Sequence, residues 1–264
     1  VDLALMGHLG SPDYIGAIAL GGMIFNFIYW SFSFLRMGTS GFTAQAYGKK
    51  DSGETMAVLS RAMVLAVCGG LLLILFQQPI EWISFKILKA EEHIEHLSIV
   101  YYKIRIWAAP ATLGLYVIYG WFIGMQDAKT PMIIAITVNV INILASALFV
   151  MVFDMNSKGV ALGTVIAQFS GFLMGLALIY KRHGKSFLKH LSPQVFCLIK
   201  YREFMGVNQD IFIRTTLLLF VFTFFTGESA RIDTLMSGSI PVLAVNTVLL
   251  QFFMLFAFFI DGFA

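Results

Sequence analysis

The stretch TPMIIAITVNVINILASALFVMVF at residues 130–153 contains no charged residue. It is longer than the roughly twenty apolar residues that a helix needs to cross a bilayer. Because lipid offers backbone groups no water, spanning segments form helices or closed barrels, and continuous apolarity favours helices. The sequence therefore predicts an all-α, polytopic transmembrane helical bundle. Other uncharged stretches near or above the spanning length lie at 14–35, 62–80, 106–126, 159–180 and 234–260.

Two further segments bring the expected total to about seven spanning helices and a stub. A seventh span, at 208–227, is interrupted by Arg214, and residues 1–10 are too few to cross a bilayer before the turn signal that follows them. The chain begins without Met and ends inside an apolar stretch. We therefore expect a fragment of a larger, transporter-sized protein.

The composition excludes several classes of protein. Hydrophobic residues make up 58% of the 264 residues and charged residues 12%, with a mean hydropathy of +0.81. A soluble domain carries about a quarter charged residues, so a soluble enzyme is excluded. The net charge of +3 is too small for a nucleic-acid surface. The expected partners are the lipid bilayer and small molecules that cross it.

No motif for ATP, a metal or catalysis is found. Gly184, Lys185 and Ser186 suggest a phosphate-binding loop, but Ile179 stands where that motif needs a glycine. The two cysteines match neither a disulfide framework nor a metal site. We therefore predict no ATP binding, no metal, no cofactor and no enzymatic activity.

The basic residues in the links predict the orientation in the membrane. Nine lie in one alternating set of links and four in the other, and the richer set is expected inside the cell. The inside links are 48–55, 126–130 and 181–203, and the outside links lie near 11 and at 77–96, 154–158 and 228–238. The long 181–203 link suggests an N-terminal lobe at 1–181, a cytoplasmic linker at 182–203 and the start of a second lobe at 204–264.

Asp2 is a candidate ion-coupling residue. It lies about 12 Å along a helix from Gly10, hence inside the membrane. A carboxylate at that depth is costly, and burial raises a carboxyl pKa, so Asp2 could bind and release a proton. The structural alternative is an Asp paired with a helix-end donor.

Polar residues of the 130–153 stretch and of the next span form a second candidate group. Asn139, Asn142 and Ser146 share one face at helical spacing, and Thr164 and Gln168 repeat the spacing on the next helix. Such side chains in lipid either bond between helices or line a wet cavity. Both possibilities stay open from the residues alone.

Charged residues elsewhere in the spans have simpler explanations. Asp210 and Arg214 are one helical turn apart and of opposite sign, which favours a structural pair, with gating or coupling as the alternative. For Arg36, Lys103 and Arg105, we expect the charged end to reach toward the interface.

Several strings resemble one transporter family. VDLALMGHLG at 1–10 and GMQDAKTP at 124–131 resemble motifs of the multidrug and toxic compound extrusion (MATE) transporters. NVINI at 139–143 and GVALGTVIAQ at 159–168 are similar to helices five and six of that family. NQDIFIRT at 208–215 is similar to helix seven of its DNA-damage-inducible, DinF-like branch.

This resemblance implies a fold and a set of roles. The family has twelve helices in two lobes, of which this chain would hold the end of helix one through most of helix eight. By resemblance, ion coupling involves Asp2, Asn142 and Thr164. Ser146 departs from the acidic or amide residue that relatives often carry there. The expected substrate cavity includes Asn139, Ser146 and Gln168.

The resemblance also implies an activity. We expect a secondary active multidrug efflux antiporter of the cell's inner (plasma) membrane, monomeric, that exchanges H⁺ or Na⁺ for amphipathic, often cationic compounds by alternating access. The alternatives are a flippase for lipid-linked precursors, which would need a strongly cationic cavity, and a non-transport receptor or enzyme.

The orientation gives a first testable prediction. The 181–203 link holds six of the nine basic residues on the inside-assigned side and contains Cys197. A membrane-impermeant thiol reagent added to intact cells should therefore leave Cys197 unlabelled until the cells are permeabilised. Ready labelling of Cys197 from outside would show that the predicted orientation is wrong.

Overall fold

The computed structural model describes residues 12–88, 92–190, 198–235 and 242–263. Within these ranges the regular structure is helical and contains no strand, which confirms the all-α prediction. The helices are α1 Pro12–Ser31, α2 Phe34–Gly48, α3 Ser52–Leu75, α4 Gln77–Leu88, α5 Glu92–Arg105, α6 Ala109–Gly124, α7 Lys129–Met151, α8 Asn156–His190, α9 Leu198–Leu235 and α10 Val242–Phe263. A short 3₁₀ turn, Ile106–Ala108, joins α5 to α6.

Six helical segments of the described part are long and apolar enough to cross a membrane. α1 and α2 form one of them across the bend at Phe32 and Ser33, and α5 and α6 form another. The segments are Gly16–Gly48, Ser52–Leu75, His93–Gly124, Lys129–Met151, Asn156–Gly184 and Tyr201–Phe222, with a shorter apolar helix at Val248–Ala257.

The helices extend beyond the uncharged stretches, and the structure differs from the predicted bounds of two segments. The outside link expected at 77–96 is largely helical, as α4 and α5. α9 continues through Leu235, so the span expected at 234–260 begins instead as α10 at Val242. Charge-free length marks only the part of a helix that lies in hydrocarbon, whereas helical hydrogen bonding continues into the charged turns beyond it. The predicted stub at 1–10 lies outside the described residues.

The chain divides into two compact units, Val1–Phe212 and Ile213–Ala264, with the boundary inside α9. Helix α8 runs to His190 and α9 begins at Leu198, so helix occupies much of the predicted 182–203 linker. The lobe boundaries expected from the sequence stay predictions.

Helix α6 lies at the centre of the first unit. Its side chains Trp121, Phe122, Leu113 and Ile118 are fully buried. At Gly120, an added Cβ would collide with the carbonyl oxygen of Arg36 in α2. The small residue therefore lets two helix backbones touch, which is how helices associate closely in lipid.

The second unit contains the C-terminal part of α9 and all of α10. Asn246 Nδ2 donates a hydrogen bond of 2.8 Å to Ser229 Oγ. The rings of Phe222 and Phe253 lie 6.1 Å apart. One polar bond and an aromatic contact thus connect these two helices.

The three links assigned to the inside meet at one end of the first unit. A common cavity of about 470 Å³ there is lined by residues in or beside all three links, namely Tyr47, Lys50, Gln126 and His183. The indole of Trp121 adds a hydrogen bond of 2.9 Å to the carbonyl oxygen of Thr55. This arrangement agrees with an alternating assignment, in which these links share one side of the membrane.

A polar clamp holds the α6–α7 link against α8 at this end. Arg182 Nη1 donates to Asp127 Oδ2 at 2.7 Å and to Thr130 Oγ1 at 2.8 Å. The Thr130 hydroxyl donates to Asp127 Oδ2 at 2.6 Å, and its backbone N–H donates to Asp127 Oδ1 at 3.1 Å. Asp127 thus satisfies a free N–H in the first turn of α7. Hydrogen bonds from Thr130, followed by Arg182, hold the pKa of Asp127 below its usual range.

We predict that Asp127→Ala lowers the free energy of unfolding by about 1 kcal/mol, because it removes a helix-capping acceptor. The pKa of Asp127 is lowered on folding, so its contribution is present at neutral pH and is lost as the pH falls through the lowered value. Unfolding followed by tryptophan fluorescence in detergent measures both effects.

Two variants at the end of α8 provide the control. Arg182→Gln should destabilise the protein by up to about 1 kcal/mol, since the pair is partly exposed. The exposed neighbour Lys181, changed to Gln, should leave stability unaltered. Equal effects of Arg182→Gln and Lys181→Gln would show that the clamp contributes nothing to the free energy of unfolding.

Candidate substrate cavity

A cavity of about 550 Å³ opens within the first unit, among α1, α5, α6, α7 and α8. This volume lies within the roughly 300–1,000 Å³ typical of small-molecule sites. Aromatic rings and amide groups dominate its wall. The lining residues are Asn26, Tyr29, Trp30, Arg105, Thr112, Leu115, Tyr116, Tyr119, Ala135, Val138, Asn139 and Gln168.

Two of the predicted cavity residues, Asn139 and Gln168, line this space. Asn139 is exposed on α7, and its Nδ2 donates a hydrogen bond of 2.8 Å to the Ala135 carbonyl oxygen one turn earlier. Its side-chain oxygen remains an acceptor for a ligand or water. Gln168 is half-buried on α8.

Asn142 and Thr164 meet one turn from this wall. Asn142 Nδ2 donates a hydrogen bond of 3.0 Å to Thr164 Oγ1. The Thr164 hydroxyl in turn donates to the Val160 carbonyl oxygen, also at 3.0 Å. The pair therefore joins α7 to α8 inside the membrane. This is the arrangement expected if these polar residues bond between helices. Their predicted part in ion coupling stays a prediction.

Ser146 of α7 packs directly against Gly163 of α8. Its side chain is fully buried, and its Oγ has no hydrogen-bond partner within the part of the chain that the structure describes. A Cβ added at Gly163 of α8 would collide with this Oγ. Ser146 is a small residue at a helix crossing and is not among the residues that line the cavity.

The remaining predicted site residues lie apart from the cavity or outside the described residues. Asp2 belongs to the latter group. Asp210 and Arg214 are both exposed and one turn apart on α9, on either side of the unit boundary. The predicted charge pair stays a prediction.

Arg105 is the cavity residue that the sequence reasoning missed. Arg105 lines the cavity, and the expectation that its charged end reaches toward the interface stays a prediction. Its Nη1 donates to the Tyr101 hydroxyl at 2.5 Å, and the guanidinium lies 4.8 Å from the Phe25 ring centre. The available signal was its position directly before the uncharged stretch 106–126.

The cavity wall has the character of an organic-ligand site. Tyr29, Trp30, Tyr116 and Tyr119 offer aromatic faces, and the amides of the wall offer hydrogen bonds. Within residues 12–88, 92–190, 198–235 and 242–263, no group of three or more His, Cys, Asp or Glu could hold a metal ion. The arrangement suits an amphipathic organic molecule.

Comparison with known sequences finds one matching family model and similar curated proteins. The family model described as MatE matches residues 1–148. The chain is 34% identical over 267 residues to DNA damage-inducible protein F of Escherichia coli (strain K12), covering 100% of this chain and 56% of that protein. It is 25% identical over 181 residues to multidrug export protein MepA of Staphylococcus aureus (strain NCTC 8325 / PS 47), covering 69% and 40%.

Solved structures share the fold. A crystal structure of MATE in the bent conformation superposes with a TM-score of 0.79 at 20% identity, over 96% of this chain and 55% of that one. An outward-facing multidrug resistance MATE family transporter of the MOP superfamily gives 0.75 at 21% identity, over 96% and 55%. The chain thus spans about half the length of the first relatives it matches.

The Asn142–Thr164 bond gives a prediction for stability. In a double-mutant cycle with Asn142→Ala and Thr164→Val, we expect a coupling energy near 0.6 kcal/mol, the average for such bonds between membrane helices. Chemical unfolding of each variant in mixed micelles measures it.

Thr137→Val is the matched control for this cycle. The Thr137 hydroxyl bonds the Ile133 carbonyl oxygen within α7 at 2.9 Å and should show no coupling to Thr164→Val. Coupling energies that are equal in the two cycles would mean that the Asn142–Thr164 contact does not stabilise the helix pair.

Proposed function

Because the chain belongs to the MatE family, whose members are transporters and not enzymes, we propose that it forms part of a secondary active multidrug efflux antiporter. The antiporter exchanges H⁺ or Na⁺ for amphipathic compounds by alternating access. By resemblance to the family, these compounds are often cationic. The chain is a multi-pass membrane protein.

The observation that carries the proposal is the cavity of about 550 Å³ inside a bundle of membrane-length helices. An efflux protein for amphipathic compounds needs an aromatic and amide-lined space at membrane depth, where a molecule can leave the lipid environment and remain partly hydrogen-bonded. The aromatic and amide side chains of this wall supply both kinds of contact.

Ion coupling is proposed to depend on Asp2, with Asn142 and Thr164 as neighbouring hydrogen-bonding groups. An Asp in an enclosed membrane site has a raised pKa and can alternate between its charged and protonated forms. Protonation would alter the hydrogen bonds available around Asp2 and close the cavity against substrate. By resemblance to the family, Ser146 stands where relatives often carry an acidic or amide residue, and its hydroxyl offers no titratable group.

The oligomeric state, the membrane and the energy source are proposed on the same basis. The protein would act as a monomer in the inner (plasma) membrane, with the ion gradient as its energy source and without ATP or a cofactor. Non-transport alternatives would need a catalytic or ligand-binding cluster, and the sequence offers no such motif.

We predict that Asp2→Asn in the full-length gene product reduces gradient-driven dye efflux from proteoliposomes at least about tenfold, because the amide keeps the size but cannot titrate. Expression and folding should persist. A pH jump should release bound dye from the wild type and not from the variant.

Asp154→Asn is the matched control. Asp154 is exposed in the α7–α8 link and has a positive φ of 51°, which Asn also tolerates. This variant should transport normally. Unchanged efflux in Asp2→Asn would transfer the coupling role to another carboxylate, with Asp210 and Asp261 as the next candidates.

A further inference from the structure

A groove of about 950 Å³ lies between α4 and α5, in the link assigned to the outside. Among the described residues, it shares no lining residue with the candidate substrate cavity. Charges of both signs stand beside two tryptophans on its wall. The residues that give this α4–α5 groove its character are Glu81, Trp82, Lys86, Glu95, Lys103 and Trp107.

We propose that the α4–α5 groove binds the headgroup of a zwitterionic phospholipid with a primary ammonium group, as in phosphatidylethanolamine. Lys86 and Lys103 pair with the phosphate, and Glu95 accepts hydrogen bonds from the ammonium. The lipid is a bound ligand and not cargo. The inference goes beyond the proposed transport function and does not depend on it, because the groove is separate from the substrate cavity.

Helix α4 has the character of a helix at the membrane surface. Its twelve residues are too few to cross a bilayer, and it begins two residues after the span Ser52–Leu75 ends. Trp82 and Ile87 are 64% and 73% exposed, and the charged Lys86 between them is also exposed. Such a mixture of exposed apolar and basic residues is typical of helices that lie among lipid headgroups.

Helix α5 gives the groove an order in depth. Trp107 lies about 25 Å from Gly124 along the span at 1.5 Å per residue, close to the roughly 30 Å of the hydrocarbon core. Trp107 is therefore near the membrane boundary, where tryptophan is enriched. Lys103 and then Glu95 precede it by multiples of four residues and lie successively farther out on the groove. Acyl chain, phosphate and amine follow one another in this same order in a phospholipid.

The two lysines are placed to receive a phosphate. Lys103 Nζ lies 3.3 Å from Glu81 Oε1, and the Lys103 side chain is 56% exposed. An ammonium has three N–H donors, so Lys103 can serve a second anion while it stays near Glu81. Lys86 Nζ lies 4.5 Å from the centre of the Trp82 ring, a contact that positions the charge without neutralising it.

The carboxylate on the groove decides which headgroup fits. Glu95 is half-buried and lines the groove. A carboxylate accepts charge-assisted hydrogen bonds from a primary ammonium, whereas the trimethylammonium of a choline headgroup has no N–H to donate. A glycerol headgroup brings no positive charge at all. The groove therefore favours the ethanolamine headgroup over both.

The test measures lipid binding to the full-length gene product. The delipidated protein in detergent is titrated with dioleoyl phosphatidylethanolamine, phosphatidylcholine or phosphatidylglycerol, and native mass spectrometry gives the dissociation constant of the first lipid bound. We expect phosphatidylethanolamine to bind about tenfold more tightly than each of the other two, because it alone adds charge-assisted hydrogen bonds to Glu95.

Two substitutions separate the amine contact from the phosphate contact. Glu95→Gln should reduce the preference for phosphatidylethanolamine over phosphatidylglycerol about tenfold and leave phosphatidylglycerol binding unaltered. Lys86→Gln should weaken all three lipids by a similar factor, because all three carry the phosphate. Lys86 is exposed, so this variant keeps the proposal testable even if Glu95→Gln misfolds.

Lys158→Gln is the matched control for the loss of a lysine. Lys158 is exposed near the start of α8, in another outside-assigned link, and is not among the residues that line the groove. This variant should bind all three lipids as the wild type does. Equal binding of phosphatidylethanolamine and phosphatidylglycerol by the wild type, or tighter binding of phosphatidylglycerol, would overturn the proposal. An unaltered preference in Glu95→Gln, or equal losses in Lys86→Gln and Lys158→Gln, would overturn it as well.

Discussion

The absence of water from the hydrocarbon core governs the structure of this chain. Polar groups at that depth are costly unless they find a hydrogen-bond partner within the protein or face a wet cavity. Helix α7 shows how this is met, since Thr137 and Asn139 bond carbonyl oxygens of their own helix while Asn142 reaches across to Thr164. At the cavity wall, the hydrogen bond from Arg105 to the Tyr101 hydroxyl and the rings of Phe25 and Tyr101 offset part of the cost of its charge.

The sequence predicts the helical bundle well because that constraint acts on local composition. Uncharged length identifies helices such as α3, α7 and α8 directly. It cannot identify helix ends, as the continuation of α9 through Leu235 and the helical structure of 77–88 demonstrate. Beyond the lipid, backbone groups either bond water or continue a helix, and composition does not decide between the two.

The candidate site was predictable only in part. Helical spacing grouped Asn142 with Asn139 and Ser146, and Thr164 with Gln168, and the structure adds a hydrogen bond between Asn142 and Thr164. The same spacing grouped Ser146 with Asn139, although one packs against Gly163 and the other faces the cavity. Which polar residue packs against a small residue depends on how two helices cross. The spacing of residues within one helix does not contain that information. Arg105 was missed because its environment is supplied by Phe25, eighty positions away in the sequence.

The two polar connections between α7 and α8 have a mechanical consequence. Arg182 fastens the end of α8 to the start of α7, and Asn142 with Thr164 fastens the pair again near the membrane centre. Hydrogen bonds at two levels oppose both sliding and separation of α7 and α8. This helical hairpin is therefore expected to move as one rigid unit. Within the described residues, α6 meets this hairpin through side-chain packing, as Phe172 against Gly114 and Ile118 against Gly175 show, so a change in cavity width on that side need not break the bonds that join α7 to α8.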